Sequence, residues 1–196
     1  MVRSWLVLGV GVAFIAALFW FGLTRITHPS TPQAGAKDAV KVGFAVGEYA
    51  PDFEVRAVDG GSFKLSALRG QPVVVNFWGS WCAPCKVEIP WLVELDQAYG
   101  RQGIKIIGVA MESGSPEEIT KFAHDYGMKY LIVLGDSGTA NQYGGVRFMP
   151  QSFFIRRDGR IVKETTGLTD KKDLEDAMKA LLEGNSKSQI ARGGRP

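Results

Sequence analysis

The sequence is poor in the residues that build disulfide frameworks and metal sites. Among 196 residues there are only two cysteines and two histidines. A disulfide framework in a small secreted protein needs more cysteines, spread widely along the chain. A structural zinc site needs about four ligands, and His28 and His124 lie far from each other and from both cysteines. We therefore expect no metal and interpret Cys82 and Cys85, separated by two residues, as a redox dithiol.

The body of the chain also lacks an excess of charge of one sign. The formal net charge is +3, but basic residues before position 26 and after position 183 carry more than this total. The stretch 26–183 is therefore slightly acidic. Such a domain lacks the basic footprint of a nucleic-acid-binding protein, so we expect no nucleic-acid partner.

One long apolar run stands near the start of the chain. Residues 5–23 comprise 19 consecutive apolar or glycine residues, and as a helix they would span roughly 28 Å, close to a bilayer core. Trp5 and Trp20 lie near the ends of the run, as amphipathic rings do at membrane interfaces. A cleavable signal peptide is the alternative, but its apolar region is usually about 7–15 residues long. We therefore predict an N-terminal membrane anchor over residues 1–25.

The rest of the chain is predicted to be a linker, one domain and a tail. Residues 26–46 hold prolines, glycine and small residues, which are typical of a linker. Residues 47–183 are predicted to form the domain, and the polar, glycine-rich residues 184–196 a disordered tail. The residues before the apolar run resemble an export signal and favour an extracytoplasmic domain, whereas the count of positive charges flanking the run does not favour this orientation.

Strand-like and helix-like patterns alternate through the predicted domain. Asp59-Gly60-Gly61 separates two short strand patterns and predicts an N-terminal β-hairpin. The alternation predicts an α/β sheet with helices on both faces. The last two strands are joined by a tight turn and must be antiparallel, so the sheet is mixed. The predicted strands are 53–58, 62–65, 73–77, 104–110, 131–134, 152–155 and 161–165, and the predicted helices are 82–99, 115–127 and 170–183, the last stopping at Gly184-Asn185.

Cys82 and Cys85 stand where a predicted strand meets a predicted helix. The thiolate is the attacking form of cysteine, and a helix start offers free N–H groups and the positive end of the dipole. These groups are expected to lower the pKa of Cys82 from about 8.5 towards 7. Cys85 follows one turn later on the same face and can resolve a mixed disulfide. The context predicts a dithiol that cycles, with a static disulfide as the alternative.

The segment VVVNFWGSWCAPCKVEIP, residues 73–90, resembles the TlpA/ResA branch of the thioredoxin-like proteins. Segments 47–72 and 143–170 share the resemblance, which covers about residues 42–183. It implies a thioredoxin-like fold with an inserted αβ unit, preceded by one transmembrane helix. It also implies a membrane-tethered, extracytoplasmic protein-disulfide reductase without a cofactor. Clients such as the haem-site cysteines of apocytochromes c, and a membrane electron donor of the CcdA/DsbD type, are further implications.

The resemblance assigns roles to residues around the dithiol. It implies that Pro150 is cis, which leaves a backbone edge at Met149 able to pair with an incoming peptide near Cys82. Trp81 is expected to shield the sulfurs and contact the partner peptide. Glu88 lies one turn after Cys85 on the same helix face. We interpret it as the group that takes the proton of Cys85 through water, with a solvated helix charge as the alternative.

Other activities stay open on the sequence. The same dithiol would serve an oxidant or isomerase of exported proteins, because reduction potentials in this fold run from about −270 to −120 mV. A thiol peroxidase is disfavoured because its Pro-x-x-x-Thr-x-x-Cys motif is absent. A copper-binding assembly factor needs a distal histidine beside the thiolate pair, and His124 is predicted to lie on the inserted helix instead.

Overall fold

The computed structural model describes the backbone of residues 43–192 and the side chains of residues 43–183. The chain separates into units 1–39 and 40–196, and every described residue belongs to the second. The predicted anchor over residues 1–25 lies outside the described residues. Across the described part of the chain, no helix is both long and apolar enough to cross a membrane.

Strands and helices alternate as the hydrophobic pattern predicts. The strands are β1 (Glu54–Arg56), β2 (Ser62–Lys64), β3 (Val73–Trp78), β4 (Lys105–Met111), β5 (Leu131–Gly135), β6 (Gln151–Ile155) and β7 (Ile161–Thr166). The helices are α1 (Ala83–Tyr99), α2 (Pro116–Asp125), α3 (Ser137–Gln142) and α4 (Lys171–Arg192), with short 3-10 turns at Leu65–Leu68 and Gly100–Gln102.

The central sheet has five strands in the order β5-β4-β3-β6-β7. The pairs β3–β4 and β4–β5 are parallel, whereas β3–β6 and β6–β7 are antiparallel. The predicted mixed sheet is therefore confirmed. The predicted N-terminal hairpin is confirmed as well, because β1 pairs antiparallel with β2 in a separate two-stranded sheet.

Strand β3 lies in the middle of the sheet and has all six residues buried. A strand covered on both faces needs a continuous apolar run, which Val73-Val74-Val75 begins. One face packs against α1, α2 and α4, and the other against α3 and the hairpin. Trp78 belongs to the first face, where it is fully buried and stacks on Phe122 with ring centroids 5.2 Å apart. Trp78 is therefore a core residue.

Two helices differ from the prediction. Helix α4 continues through Gly184 and Asn185 to Arg192, so the predicted stop there is wrong and part of the predicted tail 184–196 is helical. Glycine costs only about 1 kcal/mol in a helix relative to alanine, and one such residue does not end a helix unaided. The short helix α3 was not predicted, because its six residues show no apolar period. It begins at Asp136, whose Oδ1 accepts a hydrogen bond from the Thr139 N–H at 2.6 Å.

Candidate active site

Cys82 is held at the junction between β3 and α1. It caps the N-terminus of α1 in an extended conformation, with φ −80° and ψ 107°. The Cys85 N–H points at the Cys82 sulfur, 3.2 Å from Sγ. Pro84 lies in the first turn of α1, where its missing N–H leaves no hydrogen bond unmade. A thiolate at Cys82 would therefore face a free backbone N–H and the positive end of the helix dipole.

Cys82 and Cys85 are joined by a disulfide, with their Cα atoms 5.3 Å apart. Cys82 is 4% exposed and Cys85 is 0% exposed. Cys82 has some solvent contact and Cys85 has none. An incoming thiolate must therefore attack the Cys82 sulfur. The predicted order, in which Cys82 meets the partner and Cys85 resolves, agrees with this difference in burial.

The segment before β6 faces the same sulfur. The peptide bond between Met149 and Pro150 is cis, as predicted. The carbonyl oxygen of Met149 lies 3.6 Å from Sγ of Cys82, so the backbone edge predicted to receive a peptide is beside the reacting atom. Trp81 is 59% exposed and Phe148 is 69% exposed. Together they flank the site with apolar surface.

Glu88 is buried on α1 and is not a solvated helix charge. It is 1% exposed, and its Oε1 accepts a hydrogen bond from Asn76 Nδ2 at 3.0 Å. Burial raises the pKa of Glu88 to about 7, and the Asn76 hydrogen bond opposes this rise in part. A carboxyl with a pKa near neutrality can both accept and return a proton at physiological pH. Burial and the raised pKa make Glu88 able to accept a proton, and its role towards Cys85 stays a prediction.

The sequence analysis did not identify the hydrogen bonds that hold Glu88, which involve Asn76 and Ser152. Asn76 Nδ2 donates both to Glu88 and to Ser152 Oγ, the second bond being 2.9 Å long. Its position in an otherwise apolar strand was the available signal, because a buried amide needs partners. The Ser152 contact joins strands far apart in sequence and left no local signal.

The position of His124 can also be judged from the structure. The side chain of His124 is 90% exposed on α2, so it is an ordinary surface residue. Within the described residues, no group of three or more histidine, cysteine or acidic side chains is placed to hold a metal ion.

A helix-capping dithiol beside a cis-proline, on a central mixed sheet, defines a thiol–disulfide oxidoreductase of thioredoxin-like fold. Comparison with known proteins agrees with this class. Residues 46–164 match the AhpC/TSA family. Thiol-disulfide oxidoreductase ResA of Geobacillus thermodenitrificans is 34% identical over 142 residues, which cover 72% of this chain and 80% of that protein. ResA of Bacillus subtilis is 30% identical over 148 residues, covering 76% and 82% respectively.

A solved structure extends the comparison to three dimensions. The crystal structure of a Chlorobium tepidum protein assigned as thiol:disulfide interchange protein DsbE is 31% identical, with a TM-score of 0.65. The match covers 71% of this chain and 99% of that one. The chain belongs to the AhpC/TSA family and is a thiol–disulfide oxidoreductase of the ResA/DsbE type.

Proposed function

We propose that this protein is a membrane-anchored, extracytoplasmic reductase of protein disulfides. The observation that carries the reductase activity is the placement of the Cys82 sulfur beside a backbone edge, with a buried carboxyl on the same helix. Cys82 caps α1, the Met149 carbonyl lies 3.6 Å from its Sγ, and buried Glu88 follows one turn behind Cys85. The three groups supply a nucleophile, a docking edge and a proton acceptor.

The reaction begins with the reduced dithiol. The Cys82 thiolate attacks one sulfur of a client disulfide, forming a mixed disulfide and releasing the other client sulfur as a thiolate. Cys85 then attacks Sγ of Cys82, which releases the second client sulfur and closes the Cys82–Cys85 disulfide. Two electrons pass from the dithiol to the client. The proton of the Cys85 thiol moves to the Glu88 carboxylate, which needs Glu88 ionised and therefore a pH near or above its pKa of about 7.

Client recognition is proposed to use backbone more than side chains. An extended client segment would pair with the chain at Met149, in the manner of a strand added to a sheet edge. The exposed rings of Trp81 and Phe148 would cover apolar residues flanking the client cysteine. Such recognition tolerates many sequences, provided that the client segment is unfolded around its cysteines.

We infer the reducing direction from the modest set of groups that would stabilise a Cys82 thiolate in the reduced protein. Among the described residues, one backbone N–H, that of Cys85, is hydrogen-bonded to Sγ. Ala83 and Pro84 between the cysteines carry no charge. Strong oxidants of this fold stabilise their thiolate much further, so we propose a potential nearer thioredoxin, about −270 mV, than DsbA, about −120 mV. Equilibration against a thioredoxin or glutathione couple measures this value, and a potential near the upper end would make the protein an oxidant.

The client and the electron donor are proposed from the family resemblance. Apocytochromes c carry paired haem-site cysteines in unfolded segments, and a membrane carrier of the CcdA/DsbD type would return the electrons. A Cys85→Ala variant would hold clients on Cys82 as mixed disulfides, identifiable by mass spectrometry. The Cys82→Ala/Cys85→Ala double variant is the matched control. Capture of c-type cytochrome precursors supports the proposal, whereas capture of unrelated exported proteins alone would favour a general isomerase.

The membrane location rests on the apolar run over residues 5–23. In the Cys85→Ala variant, Cys82 is the sole cysteine of the chain. A membrane-impermeant maleimide added to intact cells, with the outer envelope permeabilised where one exists, should label it. Labelling only after lysis would place the domain inside and contradict the proposal. Extraction of the protein by carbonate would contradict the anchor.

A further inference from the structure

Because Glu88 is buried, a proton that it accepts must cross the protein interior to reach solvent. Glu88 is 1% exposed, and during turnover a client covers the surface around Cys82. A proton taken from Cys85 must nevertheless reach solvent before the next cycle. A route from Glu88 to solvent that avoids the sulfur face would work even while a client covers that face.

A set of buried polar atoms lies on the α1 side of the sheet without protein partners. They are Glu88 Oε2, Asn76 Oδ1, Trp78 Nε1 and the Tyr130 hydroxyl. Buried polar atoms in native proteins are nearly always satisfied by protein groups or by ordered water. Several unpaired atoms in one region therefore point to bound water that joins them.

Gly108 on β4 brings two of these side chains to one point of the sheet. It pairs with Asn76 across the β3–β4 ladder. A Cβ at position 108 would lie 2.9 Å from Trp78 Nε1 and 3.1 Å from the Tyr130 ring. Any side chain at position 108 would collide with both, so the glycine lets Trp78 and Tyr130 pack against β4 beside Asn76 on the neighbouring strand.

The route continues from Tyr130 to an open cavity. Asp96 lies two turns beyond Glu88 along α1, about 12 Å away, and on the same helix face. Asp96 and Tyr130 both line a cavity of about 700 Å³ at the end of α1 opposite the cysteines, together with Lys105 and other residues. Tyr130, whose hydroxyl is buried, therefore belongs both to the buried polar set and to the lining of the cavity that Asp96 borders.

The charges around Tyr130 agree with this path. Burial raises the pKa of Tyr130, and the Asp96 and Glu88 carboxylates raise it further. The hydroxyl is therefore within electrostatic reach of both carboxylates and stays protonated. Burial also raises the pKa of Asp96, which Lys105 opposes, and a raised pKa favours a carboxyl that accepts a proton in transit.

We propose that Tyr130 and Asp96 relay the Glu88 proton to solvent through this cavity, an inference that rests on the proposed role of Glu88. The proton leaves Glu88 Oε2 for bridging water and then reaches the Tyr130 oxygen. The hydroxyl passes its own proton on to Asp96 and the cavity water. No other bond changes, and Tyr130 ends neutral. The route delivers the proton at the opposite end of α1 from the bound client.

Tyr130→Phe tests the relay, since it removes one hydroxyl and keeps the ring. Reduced, full-length protein equilibrated at about pH 5, where Glu88 is protonated, would be mixed with excess disulfide peptide in buffer at about pH 8 and acid-quenched at intervals. The decay of the mixed disulfide would be followed by mass spectrometry. We expect the Cys85 step to slow by about 10-fold or more after the pH jump, with a larger solvent deuterium isotope effect and partial rescue by small buffer bases, which accept the proton in place of the relay. A purely structural defect would lack the isotope effect and the rescue.

Tyr143→Phe is the matched control. Tyr143 is also fully buried, but on the other face of the sheet, where its hydroxyl donates to the Pro51 carbonyl at 2.8 Å. Its loss should leave the Cys85 step and the isotope effect unchanged. Asp96→Asn, outside the deep core, should reproduce the Tyr130→Phe result.

The outcomes separate this inference from the proposed function. A slowed Glu88→Gln variant, with wild-type rates and isotope effects in Tyr130→Phe and Asp96→Asn, would overturn the relay and leave the role of Glu88 standing. A wild-type rate in Glu88→Gln would overturn both. Slowing in all three, with buffer rescue, supports the relay.

Discussion

Replacing Glu88 by glutamine should remove a pH dependence of stability that the buried carboxyl imposes. The ordinary pKa of the carboxyl is 4.5 and the folded protein raises it to about 7, chiefly by burial. Below pH 4.5 the carboxyl is protonated in both states and imposes no penalty. As the pH rises through about 7 the folded state must ionise a buried group, so the stability present at low pH is lost. At 1.36 kcal/mol per unit, the shift corresponds to about 3 kcal/mol.

Glutamine is close in shape to glutamate, and its Oε1 can still accept the bond from Asn76 Nδ2. The variant should therefore match the wild type near pH 4 and exceed its free energy of unfolding by up to about 3 kcal/mol at pH 8. Urea denaturation of the oxidised protein at several pH values measures the difference. Glu94→Gln, at an exposed position of the same helix, should follow the wild-type profile. A difference between wild type and Glu88→Gln that stays constant from pH 4 to 8 would refute the reasoning.

Four further outcomes are expected from the described contacts. Glu88→Gln should slow reduction of a model disulfide and flatten the rise in rate through about pH 7, measured by stopped-flow fluorescence, and an unchanged profile would remove Glu88 from the mechanism. Asn76→Ala removes the hydrogen bond that lowers the pKa of Glu88, so the rise should move to higher pH in the same assay. In Cys85→Ala, iodoacetamide should alkylate Cys82 at pH 7 faster than it alkylates free cysteine, and an equal rate would contradict thiolate stabilisation. Ser115→Ala breaks the capping box of α2 and should cost about 1 kcal/mol of unfolding free energy with no change in disulfide reduction.

The predicted strands and hairpin were correct because their signals are local. The apolar run at the start of β3 and the Asp59-Gly60-Gly61 turn need no knowledge of distant residues. The dithiol could be predicted equally well, because Cys82 and Cys85 stand at a predicted strand–helix junction. Helix α3 could not be predicted, because it depends on the burial of Thr139 and Ala140 against the sheet and its sequence has no helical apolar pattern.

The environment of Glu88 shows where sequence reasoning ends. Helical spacing placed Glu88 on the face of Cys85, but a charge at that spacing is compatible with either burial or solvent. Glu88 is buried in contact with Asn76 on β3, which in turn bonds Ser152, 76 residues further along the chain. Long-range pairs of this kind leave no periodic trace in one sequence. The anchor over residues 1–25 stays a prediction.

The pairing of β3 with β6 has a consequence for how such a protein diversifies. Cys82 follows one of these central strands and Pro150 precedes the other, so the ladder between them fixes the distance from sulfur to docking edge. Trp81 and Phe148 project outward from the same two junctions. If clients are recognised as proposed, exchanging those rings would alter which clients are accepted while the electron-transfer geometry stays intact, which makes this pair a natural starting point for redirecting the enzyme to new targets.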